Sequence, residues 1–391
     1  MERNVKVMAY YLPQYHSIPE NDAVWGAGFT EWTNVKKATS LFEGHYQPRI
    51  PLNGNYYNLL DLDTLKWQVE LAKENGVFGF SIYHYWFSGL KLLNKPLEMI
   101  RDNPSLSMPY NITWANESWS NAWSKPNQPK SFLIQKYGNE NEWRQHYEYF
   151  AGFFKDPNYI KTDNKPELNI YRPEQIPKLK KMLTYWNDLA VEDGFDGISF
   201  GTQQVDFTIL GLDHSLFDSI IEYQPIYSLA DESIMPNFVH NVFRNRKKLI
   251  LERHAPWALD VLQKLKLVTA PKKWNSNDTA SMLKFDYNRV ADVAIGRKAS
   301  SSKSVPGFFV GFDNTARRGN KGIVIQSTPQ EFRQKFRQQL LNWRQHYNSD
   351  YLYMFAWNEW GEGGYLEPDE EYGLQYLEIL NEEVKRINEV D

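Results

Sequence analysis

Eight short, almost uninterrupted apolar runs recur along the whole chain, and they limit its fold more than any other feature. They are Val5–Leu12, Phe78–Trp86, Tyr110–Ala115, Glu167–Tyr171, Gly197–Gly201, Ile220–Gln224, Gly307–Phe312 and Tyr351–Trp357. A strand with one wet face alternates apolar and polar residues. These runs barely alternate, as expected of strands buried on both faces of a parallel sheet. Amphipathic stretches lie between most of them: Asp63–Asn75, Glu140–Phe154, Pro177–Asp193, Asp286–Ala294 and Thr328–His346. The last opens with a T-x-x-E capping box, Thr328 to Glu331, with Pro329 at the first helical position. Phe332, Phe336, Leu340 and Trp343 then recur at helical spacing and form one core-facing stripe. Strand–helix alternation without a Gly-rich phosphate loop predicts an α/β protein, a (β/α)8 TIM barrel, rather than a doubly wound sheet.

The stretch from about 227 to 288 fits this alternation least. It holds a short basic run (Arg244, Arg246, Lys247, Lys248), three prolines and no clear strand, so it reads as an insertion between strands six and seven. No low-complexity linker divides the chain, and a single barrel domain over residues 1–391 is expected.

Composition narrows the chemistry. The net charge of −4 gives no broad basic face for nucleic acid. Cysteine is absent, which removes disulfides, thiolate metal sites and a cysteine nucleophile. The opening MERNVKVMAYYLPQYH lacks the long apolar core of a leader, and no stretch approaches the length of a membrane span, so a cytoplasmic protein is expected. Aromatic residues reach 15% of the chain, and many stand beside Asn, Glu, His and Gly. Such rings suit the C–H faces of sugars, although large barrels also bury many rings.

In a (β/α)8 barrel the active site lies at the C-terminal ends of the strands. Strand one is followed by Gln14, Tyr15 and His16, then by Trp25, Phe29, Thr30, Glu31, Trp32 and Asn34. Strand two ends in His84, Tyr85 and Trp86. Strand three ends in Trp114, Asn116 and Glu117, strand four in Tyr171 and Arg172, and strand six in Glu222 and Tyr223. Strand seven leads to Asp313, Arg317 and Arg318. Strand eight leads to Trp357, Asn358, Glu359, Trp360 and Glu362, with Glu367 beyond. Polar groups and rings gathered at one end of so many strands predict a pocket for a hydroxyl-rich ligand.

Cleavage at an anomeric carbon needs one protonated and one ionised carboxyl. Glu359 and Glu362 are the best pair, held by a Gly-flanked turn at the end of strand eight. Spacing alone leaves a second reading open, in which Glu359 merely orders the loop and Glu362 is solvated. Glu117 is the next candidate. His16, His84, Glu31, Trp32 and Asn34 read as substrate contacts. No His-x-His or H-E-x-x-H spacing supports a metal site, and no cofactor is expected. Arg317 suits either a clamp on a substrate anion or an ion pair within the protein. Asp61-Leu62-Asp63, the one match to a nucleotide-sugar metal motif, stands where it would cap a helix.

Six segments carry a resemblance over essentially the whole chain: AYYLPQYHSIPENDAVWGAGFTEWTNVKKA, GHYQPRIPL, FGFSIYHYWFSG, ITWANESW, FVGFDNTARRG and FAWNEWGEGGYLEPD. Together they resemble the WbsX-type, glycoside hydrolase family 99-like proteins, often encoded with bacterial surface-polysaccharide genes. The resemblance implies a barrel related to the endo-α-mannosidases and a retaining hydrolysis through a 1,2-anhydro sugar. Glu359 would take the proton of the sugar's 2-hydroxyl, and Glu362 would protonate the leaving oxygen. Such chemistry suits α-manno- or α-rhamno-configured sugars in an oligo- or polysaccharide. The long N-terminal motif is typical of the WbsX-like group rather than of the mannosidases, so the resemblance leaves the sugar open. Proteins of this group are also often labelled glycosyltransferases. A transferase of O-antigen or capsule assembly and a non-catalytic carbohydrate-binding protein are the alternatives.

Overall fold

The computed structural model describes residues 3–121, 131–205, 212–235 and 282–389. Nine parallel segments build the main sheet: β1 (Lys6–Tyr11), β2 (Val77–Phe87), β3 (Tyr110–Trp114), β4 (Lys165–Ile170), β5 (Ser199–Gln204), β6 (Ser219–Glu222), β7 (Ser304–Val305), β8 (Gly307–Phe309) and β9 (Tyr351–Phe355). Sequential neighbours pair from β1 through β7. β9 then lies between β8 and β1, with Lys6 opposite Tyr351. The segments β7 and β8 are one strand interrupted by Pro306, which lacks the N–H a ladder needs. One half pairs with β6 and the other with β9. The sheet is thus a nearly closed barrel of eight strands, as expected. The expected seventh strand, Gly307–Phe312, covers only the second half of the broken one. Gly307 also sits where a Cβ would lie 1.9 Å from the carbonyl oxygen of Glu222, so only glycine fits.

Helices α1 (Pro19–Trp25) and α2 (Glu31–Lys37) fold over the mouth of the barrel, between β1 and the first outer helix. Among the described residues the outer layer comprises α3 (Leu62–Glu74), α4 (Lys95–Asp102), α5 (Glu140–Phe154), α6 (Leu179–Glu192), α7 (Tyr287–Gly296), α8 (Pro329–His346) and α9 (Gln375–Glu389). The side chain of Asp61 accepts the N–H of Asp63 at 3.0 Å, so Asp61-Leu62-Asp63 does open a helix. The capping box of α8 is formed, and its Phe332, Phe336, Leu340 and Trp343 are buried. Each contributes roughly 1.5–3 kcal/mol of apolar burial. The heart of the expected insertion, residues 236–281, lies outside the described residues. Its flanks carry a short helix, Ile226–Leu229, and a two-residue strand, Leu283–Lys284, that pairs with Ile323–Ile325. No helix among the described residues is long and apolar enough to cross a membrane.

Rings fill the barrel interior. Tyr10 lies against Tyr83, Tyr223 and Tyr353 at centroid distances of 5.8, 5.1 and 5.4 Å. Asn111 and Asn169 both donate to the Tyr353 hydroxyl, which satisfies the polar edge of a buried ring.

Candidate active site

Above these tyrosines lies a cavity of about 400 Å³ at the C-terminal end of the barrel. Every barrel strand except β5 contributes to its lining, through Leu12, Tyr83, Tyr85, Ala115, Tyr171, Tyr223 and the segments after β8 and β9. Tyr83 donates to, or accepts from, Tyr223 at 3.0 Å, forming the floor. Trp25 and Phe29, from α1 and the turn behind it, make one wall. A small hairpin after β3, Trp119–Ser120 paired with Ser131–Leu133, makes another with Trp119 and Phe132.

Glu359 and Glu362 come from the loop after β9, where Asn358–Glu359 pairs with Gly364–Tyr365 around a 3-10 turn. Six contacts fix this loop. The amide of Asn358 exchanges hydrogen bonds with the backbone of Leu12, at 2.7 Å to its N–H and 3.0 Å to its carbonyl. The Tyr15 hydroxyl donates to the Asn358 carbonyl and accepts the Trp360 N–H. Trp360 stacks on Tyr365 at 3.7 Å and donates its indole N–H to Glu367. Glu367 also accepts from Gln68 and Tyr57, and burial pushes its carboxyl up to about 7. Gly363 closes the turn at φ +60°, a region that favours glycine.

One guanidinium joins the acidic groups. Arg317 donates from Nε to Glu31 at 2.8 Å, from Nη1 to Glu362 at 2.5 Å and from Nη2 to Glu359 at 3.3 Å. Each of its nitrogens is therefore engaged by a carboxylate of the protein, which leaves Arg317 within an internal ion cluster rather than free to clamp an anion. The guanidinium also fills the centre that three carboxylates would otherwise offer a cation. The Glu359 side chain is 7% exposed and that of Glu362 24%. Burial, together with the negative charge of Glu362, pushes the Glu359 carboxyl up to about 8 against the pull of Arg317.

Arg317 is itself held by a built support. It sits in a short helix, Thr315–Arg318, whose first N–H and hydroxyl both bond to Asp313. His45 and Gln47 contact the same carboxylate at 2.9 Å each, and Arg49 lies 3.9 Å away. Burial alone would raise the Asp313 carboxyl. His45, Arg49, Thr315 and Gln47 instead hold it below its ordinary value. The GHYQPRIPL segment is thus the footing of the Arg317 turn.

Of the residues expected from sequence, Glu31, Tyr85, Glu117, Arg317, Glu359 and Glu362 line the cavity, with Gln14, Trp25, Phe29, Tyr171, Tyr223 and Arg318. Glu117 is paired with Arg172, which also holds Glu174. The other expected contacts lie elsewhere. His84 and Trp86 point away from the barrel axis: His84 meets His146 at 3.0 Å, and Trp86 stacks on the same ring. Burial keeps His84 neutral, lowering it to about 3. Trp114 is buried against Trp186 and His146. Asn116 ties Tyr137 to the backbone of Arg172. Glu222 lies behind the wall, accepting the Tyr347 hydroxyl at 3.0 Å. Asp313, Asn358 and Trp360 are the supports just described, and Trp357 is fully buried beside Phe80. Tyr15 and Trp32 pack together under the loop, with the Trp32 N–H on the Tyr57 carbonyl. His16 lines a neighbouring cleft with Trp32 and Lys36, and burial lowers it to about 4. Asn34 stands on α2 outside the cavity lining.

Tyr83, Asn21, Ser120 and Phe132 line the cavity without having been picked out from sequence. For Tyr83 a signal existed. Side chains two apart share a face of a strand, so Tyr85 at the mouth implies Tyr83 beside it, and puts His84 and Trp86 opposite.

Comparison with known proteins places this architecture. The sequence model of the family described as Glycosyltransferase WbsX matches residues 7–380. Among curated proteins, the uncharacterized protein WxcX of Xanthomonas campestris pv. campestris strain B100 is 29% identical over 391 residues. The match covers 98% of this chain and 50% of that protein. WxcX of strain ATCC 33913 matches to the same extent, so the chain spans about half the length of these relatives. Among solved structures, a glycoside hydrolase-like protein superposes with a TM-score of 0.56 at 13% identity, covering 97% of this chain and 94% of that one. The GH99 endo-alpha-mannosidase from Bacteroides thetaiotaomicron superposes with a TM-score of 0.53 at 13% identity, over 97% of each chain. At such identities the likeness is one of fold.

Proposed function

This chain belongs to the Glycosyltransferase WbsX family, and from that membership and its site we propose that it is a retaining glycoside hydrolase. Its substrate is an α-manno- or α-rhamno-configured saccharide within a bacterial surface polysaccharide, cleaved through a 1,2-anhydro sugar. The observation that carries the reading is the Glu359–Glu362 pair, held by one guanidinium in a ring-lined cavity of the right end of the barrel. Stacking rings and close carboxyls are what anomeric chemistry asks of a protein.

In the first step Glu359 accepts the proton of the 2-hydroxyl while that oxygen bonds to the anomeric carbon. The bond to the leaving oxygen breaks, and Glu362 gives that oxygen its proton. In the second step Glu362 takes a proton from water, whose oxygen attacks the anomeric carbon. The three-membered ring opens and the 2-oxygen recovers its proton from Glu359. Two inversions leave the configuration retained. A carboxylate with a high proton affinity is the stronger base, which suits the buried Glu359. In the empty site that same burial favours a proton on Glu359, so substrate must draw it away before the first step.

The assignment is tested with saccharides carrying leaving groups of different acidity. Glu362→Gln should lose about 10²–10⁴ in turnover on an alkyl glycoside and regain most of it on a dinitrophenyl glycoside, which needs no protonation. Glu359→Gln should lose turnover on both. The reverse pattern exchanges the two roles, and undiminished turnover in both variants removes the pair from the chemistry. A nucleotide-sugar transferase is the less fitting reading. Its diphosphate would enter among Glu31, Glu117, Glu359 and Glu362 with Arg317 already engaged. Stabilisation by a nucleoside diphosphate in a thermal-shift assay would favour it.

A further inference from the structure

Three carboxylates and one guanidinium make an unbalanced cluster, and the third carboxylate has no place in the two-step scheme above. Glu31 comes from a different part of the chain, at the first residue of α2. Its helix starts with a capping arrangement between Thr30 and Thr33, and its backbone N–H bonds to the carbonyl of Gln14 after β1. The side chain is 4% exposed and reaches Arg317 Nε at 2.8 Å. Gly361 makes that reach possible. A Cβ at Gly361 would stand 1.9 Å from Glu31 Oε1 and 3.0 Å from Arg317 Nε. The glycine between the two catalytic candidates is therefore the slot through which Glu31 and Arg317 meet.

We propose that Glu31 is a positioning residue: by holding the Nε edge of Arg317, it turns both Nη atoms onto Glu359 and Glu362 and so decides how that pair shares its proton. The inference rests on the hydrolase reading for its use, but its geometry does not depend on it. A guanidinium is planar, so an anchor at Nε fixes the direction of the two remaining nitrogens. Glu31 also adds a negative charge, which competes for Arg317 and opposes ionisation of its neighbours. The other charged or titratable groups around the cluster are Glu117 with its partner Arg172, Arg318, and the phenols of Tyr83, Tyr85, Tyr171 and Tyr223 lining the cavity. Tyr15 and the Asp313–His45–Arg49 group lie behind the loop. Removing the Glu31 charge leaves all of these in place.

The test reads the substrate-free protein, so a chain that cleaves no glycoside still decides it. Glutamate side chains labelled with carbon-13 at the carboxyl are titrated by NMR, with the Glu359 and Glu362 signals assigned through their glutamine variants. In Glu31→Gln the titration of the pair should move to lower pH by about half a unit or more. A purely structural role for Glu31 would lower the melting temperature and leave the titration where it was. Gly361→Ala is the second variant: its methyl group displaces Glu31 from Arg317 without changing any charge, so the Nη atoms lose their aim and the titration of the pair should move to higher pH, opposite to Glu31→Gln. A pair that titrates within about 0.2 units of wild type in a folded variant overturns the proposal.

Discussion

Arg317 carries a single positive charge into contact with three carboxylates, and its shape matters as much as its sign. A lysine would place a compact ammonium where a planar fork now engages Glu31, Glu359 and Glu362 from three nitrogens. Arg317→Lys should therefore keep the charge but lose the geometry. We expect turnover to fall at least about 10²-fold and the Glu359 carboxyl to rise further from its ordinary range, both measured against wild type at equal folding. Activity within threefold of wild type would show that charge alone suffices. At this scale the sequence reveals residue types but not their meeting. Glu31, Arg317, Glu359 and Glu362 each stand out as polar residues beyond a strand end. Nothing in their spacing shows that one guanidinium gathers three of them, because the partners lie 286, 42 and 45 positions from Arg317. Gly361 explains itself only once Glu31 is in place beside it.

At the level of elements, the faces of the strands were the hidden variable. A strand buried on both sides has no polar alternation, so the run Phe78–Trp86 does not say which residues face the axis. Tyr83 and Tyr85 face the cavity; His84 and Trp86 face α5. The boundaries that were legible had local chemistry behind them, as in the Thr328–Glu331 box of α8. Helix α4 was not legible, being only eight residues long with Pro96 in its first turn. The hairpin after β3 was equally silent, since its two strands are two and three residues long. It nevertheless supplies Trp119, which packs at 5.1 Å on Tyr85 and at 6.3 Å on Phe132. This ring belongs to a wall and touches neither Glu359 nor Glu362 by any bond. Trp119→Ala should raise KM several-fold, the loss of one stacking surface worth roughly 0.5–1.5 kcal/mol, with kcat changed by less than about threefold. An equal fall in kcat and kcat/KM would place Trp119 in the transition state instead.

For the molecule as a whole, the buried carboxyls that serve or support the site set how stability depends on pH. Burial pushes Glu222 and Glu367 up to about 7, and burial beside Glu362 pushes Glu359 up to about 8. Each holds a proton in the folded state that the unfolded chain releases near its ordinary value of 4.5, so their contribution to stability is present at low pH and is lost as pH rises through the folded values. Buried histidines work the other way: His16, lowered to about 4, and His84, lowered to about 3, favour folding increasingly as pH rises towards 6.5. Above 6.5 the histidines are neutral in both states and drop out. Between pH 6.5 and 8 the carboxyls remain, and each proton still held gives a slope of about −1.4 kcal/mol per pH unit. Unfolding free energy from urea titrations should therefore fall across this window. Glu222 isolates the effect, because it lies behind the barrel wall, bonded to Tyr347, and away from the cavity. Glu222→Gln should flatten the fall and leave the protein about 1–3 kcal/mol more stable at pH 8, with the pH dependence of activity unaltered. Parallel stability curves for the two proteins would mean that Glu222 is ionised in the folded state, with its cost already met by Tyr347 and Arg297.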